Sequence, residues 1–214
     1  MKLKKITLLG VLAVLCLNFS TKAQRNFDKT ITNSVNTVTN SPEITSGTKD
    51  AAPLRVGDKL PEAFWKQEHT IYADGKTSKQ TLEAYKDKLL ILDFWATWCS
   101  PCISAFPKLQ TYQQQFKNKL AIVLVNSVNT ADKDERINKV LAKFSNSTEA
   151  LACIKSDTVL LKSFPHAMVP LYVWIIDSSV RAITAKEWLS EINITEVLQA
   201  SNKLNSSSTK QAQQ

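Results

Sequence analysis

Two cysteines separated by a Ser-Pro pair are the residues of this chain best suited to chemistry. In Leu92-Asp93-Phe94-Trp95-Ala96-Thr97-Trp98-Cys99-Ser100-Pro101-Cys102 an apolar run ends and a helical pattern begins, with the two thiols at the junction. Backbone N–H groups at a helix start have no partner within the helix and carry partial positive charge. A thiolate on Cys99 would be stabilised there, which lowers a cysteine below its free pKa of about 8.5. Cys102 lies one turn further in, more shielded and near enough to close a disulfide with Cys99. Pro101 has no N–H to leave unpaired, and its fixed φ suits a first helical turn. An exposed attacking thiol with a covered second thiol behind it is what two-step thiol–disulfide exchange requires.

Asp93 falls inside the apolar run 89–95 and is expected to be buried. Burial without a partner raises a carboxyl pKa, which suits a group that takes the proton from Cys102 as that thiol attacks. A lone C-x-x-C can also be half of a zinc site, which needs four ligands. The other candidates are Cys153, His69 and His166, none in a second paired motif, so no metal is expected. The tryptophans around the pair, Trp98 among them, suit a substrate-facing surface better than a metal knuckle.

The elements that must hold this turn follow from hydrophobic pattern. Runs 89–95, 120–125 and 171–176 are short, almost continuously apolar and rich in branched or aromatic residues. Strands covered on both faces look like this. Ile103, Phe106, Leu109, Tyr112 and Phe116 recur at helical steps after Cys102. Ile137, Val140, Leu141 and Phe144 make a second stripe in 132–144, and Ile194, Val197 and Leu198 a third near 194–204. A strand is expected over 69–73, a turn at Asp74-Gly75, a short helix near 80–85, and further strands at 150–154 and 180–184. Together these predict an α/β fold, a central mixed sheet with helices on both faces. Cys153 reads as a core thiol in a strand, His69 as hairpin surface, His166 as a loop histidine ahead of Pro170, and Trp65, Trp174 and Trp188 as core or edge packing.

Residues 91–107 resemble the active-site region of thioredoxins. Asp93 matches the buried acid, Trp95 and Trp98 the two tryptophans, Cys99 and Cys102 the redox pair, and Pro107 the kinking proline beyond it. Across 54–201 the chain is similar to the TlpA/ResA-like exported thiol–disulfide oxidoreductases, through Val56-Gly57-Asp58-Lys59-Leu60-Pro61, the cysteine motif and Val169-Pro170-Leu171-Tyr172-Val173-Trp174-Ile175-Ile176-Asp177. That resemblance implies a thioredoxin-like fold and a cis-proline at Val169-Pro170 facing the cysteines. The backbone of Val169 would then pair with a substrate peptide in strand fashion, beside Trp98 and Pro101. It further implies a reductive direction, disulfide-bearing or dithiol client proteins, a membrane thiol relay as reductant, and no cofactor. The chain departs from the pattern in Ser-Pro between the cysteines and in Ser178-Ser179 where a glycine after Asp177 is expected. No lysine among Leu124, Val125 and Asn126 matches the one that thioredoxins keep near the acid.

The ends are of another kind. Lys2, Lys4 and Lys5 precede a twelve-residue apolar run at 6–17, and Thr21-Lys22-Ala23 offers a cut after Ala23. That order describes a secretory signal over 1–23, since a bilayer span needs about 20 apolar residues. The expected location is the periplasm, the alternative a membrane tether through an uncleaved N-terminus. Cys16 would be an acylation site only with a small residue before it, and Leu15 stands there. Residues 24–53 are rich in Ser, Thr and Asn and read as a flexible linker to the domain 54–201, with 202–214 a disordered tail. Removing the four lysines of the leader takes the formal charge from +8 to +4. The remaining charges are interspersed, without the basic block that nucleic-acid surfaces show.

These readings converge on an exported thiol–disulfide oxidoreductase working through Cys99 and Cys102. Its alternatives are a thiol oxidant or isomerase using the same site, a peroxidase built on Thr97-x-Cys99, which lacks the proline expected upstream, and a non-catalytic binding module.

Overall fold

The structure is a computed structural model and describes residues 52–145 and 150–211. The signal, Cys16 and most of the linker lie outside the described residues. Helix α1 (Glu62–Lys66) leads into the hairpin β1 (His69–Ala73) and β2 (Lys76–Gln80), followed by a 3₁₀ turn at Glu83–Tyr85. Then come β3 (Leu89–Phe94), α2 (Ser100–Gln115), β4 (Leu120–Ser127), α3 (Asp134–Leu141), β5 (Ala152–Asp157) and α4 (Val159–Ser163). The hairpin β6 (Leu171–Ile176) and β7 (Ser179–Thr184) and the long helix α5 (Glu191–Gln211) complete the order.

The seven strands form one sheet in the order β2-β1-β5-β4-β3-β6-β7. Strands β3, β4 and β5 are parallel, and the two hairpins join their outer sides antiparallel. Strands β3 and β4 are buried along their whole length, which is why they read as unbroken apolar runs rather than alternating ones. On one face α2, α3 and α5 seat Phe106, Leu109, Tyr112, Ile137, Leu141 and Ile194 against Ile91, Ile122, Leu124 and Trp174. On the other, α1 and α4 bring Phe64, Trp65, Leu160 and Phe164 onto Leu90, Leu92, Val123 and Val125. Each large side chain so covered contributes roughly 1.5–3 kcal/mol. The expected α/β architecture, a mixed sheet with helices on both faces, is the one observed.

Boundaries and several side chains differ from the sequence reading. The stretch near 80–85 ends β2 and makes only a 3₁₀ turn. Helix α5 runs to Gln211, past the end expected near 204 and into the polar tail, because lengthening an existing helix costs far less than nucleating one. His69, read as hairpin surface, is 4% exposed; β1 is not an edge but lies between β2 and β5, so its inward side chains meet the core. Trp65 and Trp174 are core residues, whereas Trp188 stands exposed. None of the described helices is long and apolar enough to cross a membrane.

Candidate active site

The redox turn starts where β3 runs out. Phe94 is opposite Leu171 of β6 and beside Val125 of β4, and the Trp95 N–H donates to the Val125 carbonyl at 3.0 Å. The Cys99 N–H then donates to the Ala96 carbonyl at 3.0 Å, folding the chain back so that Cys99 becomes the N-cap of α2. Its Sγ accepts the Cys102 N–H at 3.2 Å. Pro101 falls in the first helical turn, which contains no acidic residue. A sulfur at this place therefore meets both a direct N–H donor and the positive end of a sixteen-residue helix, with no opposing carboxylate in that turn.

Cys99 and Cys102 are joined as a disulfide with their Cα atoms 5.3 Å apart. The order of shielding is as expected, Cys102 being fully buried. The sequence reading places Cys99 at the surface; the structure leaves it only 4% exposed, because the sulfur is turned in toward Cys102 and its N–H. Trp98 is 59% exposed and its ring Nε1 donates to the Thr130 carbonyl at 3.2 Å. Pro101 is exposed, and Val169 and Pro170 are half-buried. The Val169–Pro170 peptide is cis. Since Leu171 pairs with Phe94, Pro170 comes level with Trp95, the first residue of the redox turn. The register thus brings the second predicted segment alongside the first.

Asp93 is wholly buried, and neither carboxylate oxygen has a hydrogen-bond partner among the described residues. Desolvation pushes its carboxyl well above the ordinary 3.8. Cys153 is buried in register with Leu124, which is itself in register with Asp93, and burial pushes its thiol up to about 12. Among the described residues no group of three or more His, Cys, Asp or Glu is gathered to hold a metal. His166 lies tilted against the Phe94 ring, centroids 4.5 Å apart, and its carbonyl accepts from Asn129 Nδ2 at 3.1 Å.

Sequence reasoning missed the end of β4 and the loop after it. Asp132 accepts from the Thr97 N–H through Oδ2 at 2.7 Å, and from the Thr97 hydroxyl through Oδ1. Asn126 Nδ2 reaches both that Oδ2, at 2.8 Å, and the Trp95 carbonyl, at 3.2 Å. No local pattern announces these partners, which lie some thirty residues from the cysteine motif.

The match to known proteins falls on this same region. A family model described as Redoxin matches residues 55–168, from the segment before α1 through the redox turn and the loop that leads to Pro170. The chain belongs to the redoxin family. The redoxin domain is 41% identical over 58 residues to the thioredoxin-like protein YneN of Bacillus subtilis, which is 27% of this chain and 34% of that protein. It is 36% identical over 77 residues to the thiol-disulfide oxidoreductase ResA of Oceanobacillus iheyensis, 36% of this chain and 38% of that protein. These matches span little more than a third of either relative. Among solved structures, MTB dsbF superposes with a TM-score of 0.51 at 17% identity, covering 66% of this chain and 98% of that one. A secreted disulfide oxidoreductase of Mycobacterium tuberculosis gives 0.50 at 13% identity, covering 65% and 99%. These two likenesses show the fold. The sequence resemblance to TlpA/ResA-like proteins of the thioredoxin superfamily is borne out.

Proposed function

We propose that this redoxin domain is an exported thiol–disulfide oxidoreductase that reduces disulfides of client proteins. The observation that carries the reading is the Cys99 sulfur, held by the Cys102 N–H at the start of α2 with its disulfide partner directly behind it. In the dithiol form the Cys99 thiolate attacks one sulfur of a client disulfide; a mixed disulfide forms and the other client sulfur leaves as a thiolate. Cys102 then gives its proton to Asp93 and attacks Cys99, releasing the second client sulfur. Two electrons pass to the client, and Cys99–Cys102 is left as the disulfide. A dithiol of a membrane thiol relay returns the electrons. Trp98, Pro101, Val169 and Pro170 form the surface on which the client segment lies, paired with the Val169 backbone in strand fashion. The basic, apolar and small-residue order of 1–23 supports delivery to the periplasm.

The test is a Cys102→Ser variant in the native cell envelope. With the resolving sulfur gone, the mixed disulfide on Cys99 persists and is recovered as a covalent adduct that dithiothreitol releases. Insulin reduction with dithiothreitol should be accelerated by the native protein and not by Cys99→Ser. Absence of adducts together with absence of turnover would remove the reading. Equilibration with glutathione distinguishes the reductive direction from an oxidant or isomerase.

A further inference from the structure

The redox turn is not held by α2 alone. It is tied to 126–132, the end of β4 and the loop that follows it, through hydrogen bonds that converge on one carboxylate, 35 residues along the chain from Thr97. Asp132 takes the Thr97 N–H and hydroxyl and one N–H of Asn126. Asn126 also holds the Trp95 carbonyl, so both ends of the segment 95–97 are gripped from the same side. Thr130 closes the set. Its hydroxyl donates to the Ser127 carbonyl at 2.8 Å and accepts the Asp132 N–H at 3.3 Å, while its carbonyl takes the Trp98 indole.

A second feature is consistent with a loop built for this grip. Ala131, between Thr130 and Asp132, has φ of 56°. A residue with a Cβ rarely adopts the left-handed region, and such conformations persist where surrounding contacts over-determine them. Asp132, the next residue, is the one whose side chain meets Thr97.

We infer that Asp132 is a positioning residue, whose carboxylate latches the turn 95–98 to the loop after β4 and thereby fixes the Cys99 sulfur at the first turn of α2. The role rests on the thiol–disulfide reading of the site. Thr97 is the arm through which the latch acts, and it accounts for a threonine two residues before the cysteine without peroxide chemistry.

Thr97→Val removes the hydroxyl and keeps the shape; Asp132→Ala removes the carboxylate. For each, and for the double variant, the pH midpoint of Cys99 alkylation and the equilibrium constant with glutathione are measured, with urea unfolding as the control for folding. Each single variant should raise the midpoint and move the equilibrium toward the disulfide by roughly fivefold to tenfold, the equivalent of one lost hydrogen bond. The double variant should go no further than the larger single one, as expected of residues acting as a unit. If Asp132→Ala fails to fold, Asp132→Asn, which keeps an acceptor for the Thr97 N–H, should give a smaller shift of the same sign. Unchanged midpoints in folded variants, additive effects, or a downward shift from loss of charge would overturn the latch. A native protein that exchanges with glutathione while its variants behave identically sinks the latch alone. One that does not exchange at all sinks the redox reading and the latch with it.

Discussion

Asp93 of β3 and Tyr172 of β6 stand opposite each other in the antiparallel register, both fully buried. Neither the carboxylate of one nor the hydroxyl of the other has a hydrogen-bond partner among the described residues. Unpaired buried polar groups are rare and costly. Burial first, and the neighbouring Asp93 second, push the Tyr172 hydroxyl upward, so each group holds its proton more tightly than it would in water. An acid left unpaired on the face of β3 that α2 covers, the face that also carries Cys102, suits a proton carrier better than a structural brace.

Asp93→Asn should therefore separate stability from turnover. The folded carboxyl lies above its unfolded value of 3.8, so its favourable contribution is complete below 3.8. That contribution is lost as pH rises toward the folded pKa, at up to about 1.4 kcal/mol per pH unit. The native protein should show this decline and the variant should lack it, leaving the variant the more stable at neutral pH. Loss of a positioned proton acceptor should slow disulfide exchange at neutral pH by roughly a hundredfold. Urea unfolding across pH and stopped-flow exchange check the two halves; an unchanged exchange rate and pH profile would remove Asp93 from the mechanism.

Cys153 should stay silent in the folded dithiol protein. Its thiol is buried and pushed up to about 12, so at pH 8 roughly one molecule in ten thousand carries the reactive thiolate, before access is considered. Iodoacetamide should label Cys99 within minutes, whereas Cys153 should label at a rate that follows the unfolded fraction as urea is raised. Mass spectrometry of the digested protein reads both. Labelling of Cys153 at a rate comparable to Cys99 in the absence of urea would contradict its place in the core.

The parts legible in the sequence are those set by local periodicity or by residues close together in the chain. The apolar runs of β3, β4 and β6, the stripe from Ile103 to Tyr112 and the Cys99–Cys102 spacing each announce themselves, because covalent neighbours determine strand, helix and turn. Burial of Asp93 follows from its place in an apolar run. Asp132 and Asn126 were not legible, since they reach the redox turn only after β3 and β4 pair in parallel. The burial of His69 depends likewise on β1 adding to β5 rather than ending the sheet. Both errors concern which segments become neighbours, and a single sequence without internal pairing signals does not state that.

His69 should make the domain sensitive to mild acid. Its Nδ1 lies 3.8 Å from Asp157 Oδ1, and Nε2 has no partner among the described residues. Desolvation lowers its pKa below 6.5, with Asp157 opposing and Lys79 reinforcing that shift. Below pH 6.5 the unfolded chain takes up a proton that the folded chain refuses, so stability falls as pH drops from about 7 toward 5, by no more than about 1.4 kcal/mol per unit. His69→Gln should flatten that part of the curve. Unfolding free energies with the same slope in both proteins would show that another group is responsible.

The turn joining β6 to β7 offers a gain in stability without cost to the redox site. Ile176 pairs with Ser179, so Asp177 and Ser178 alone make the turn, with φ of 52° and 54°. Two positive φ values in a two-residue hairpin define the turn type that favours glycine or asparagine, and this is where the sequence lacks the expected glycine. Serine in the left-handed region costs roughly 1–2 kcal/mol, of which the greater freedom of glycine in the unfolded chain returns a part. Ser178→Gly should therefore stabilise by about 0.5–1 kcal/mol, raising the urea midpoint with an unchanged slope. The Leu60 N–H would keep its acceptor, which is the backbone carbonyl of residue 178. Asp177→Gly should give no such gain, because it removes the carboxylate that accepts from Ser201 Oγ at 2.6 Å. Strand β6 meets Phe94 at Leu171 and reaches this turn at its other end, so the glutathione equilibrium of Ser178→Gly should equal that of the native protein. A lowered urea midpoint for Ser178→Gly would show that residue 178 does not occupy the left-handed conformation in solution.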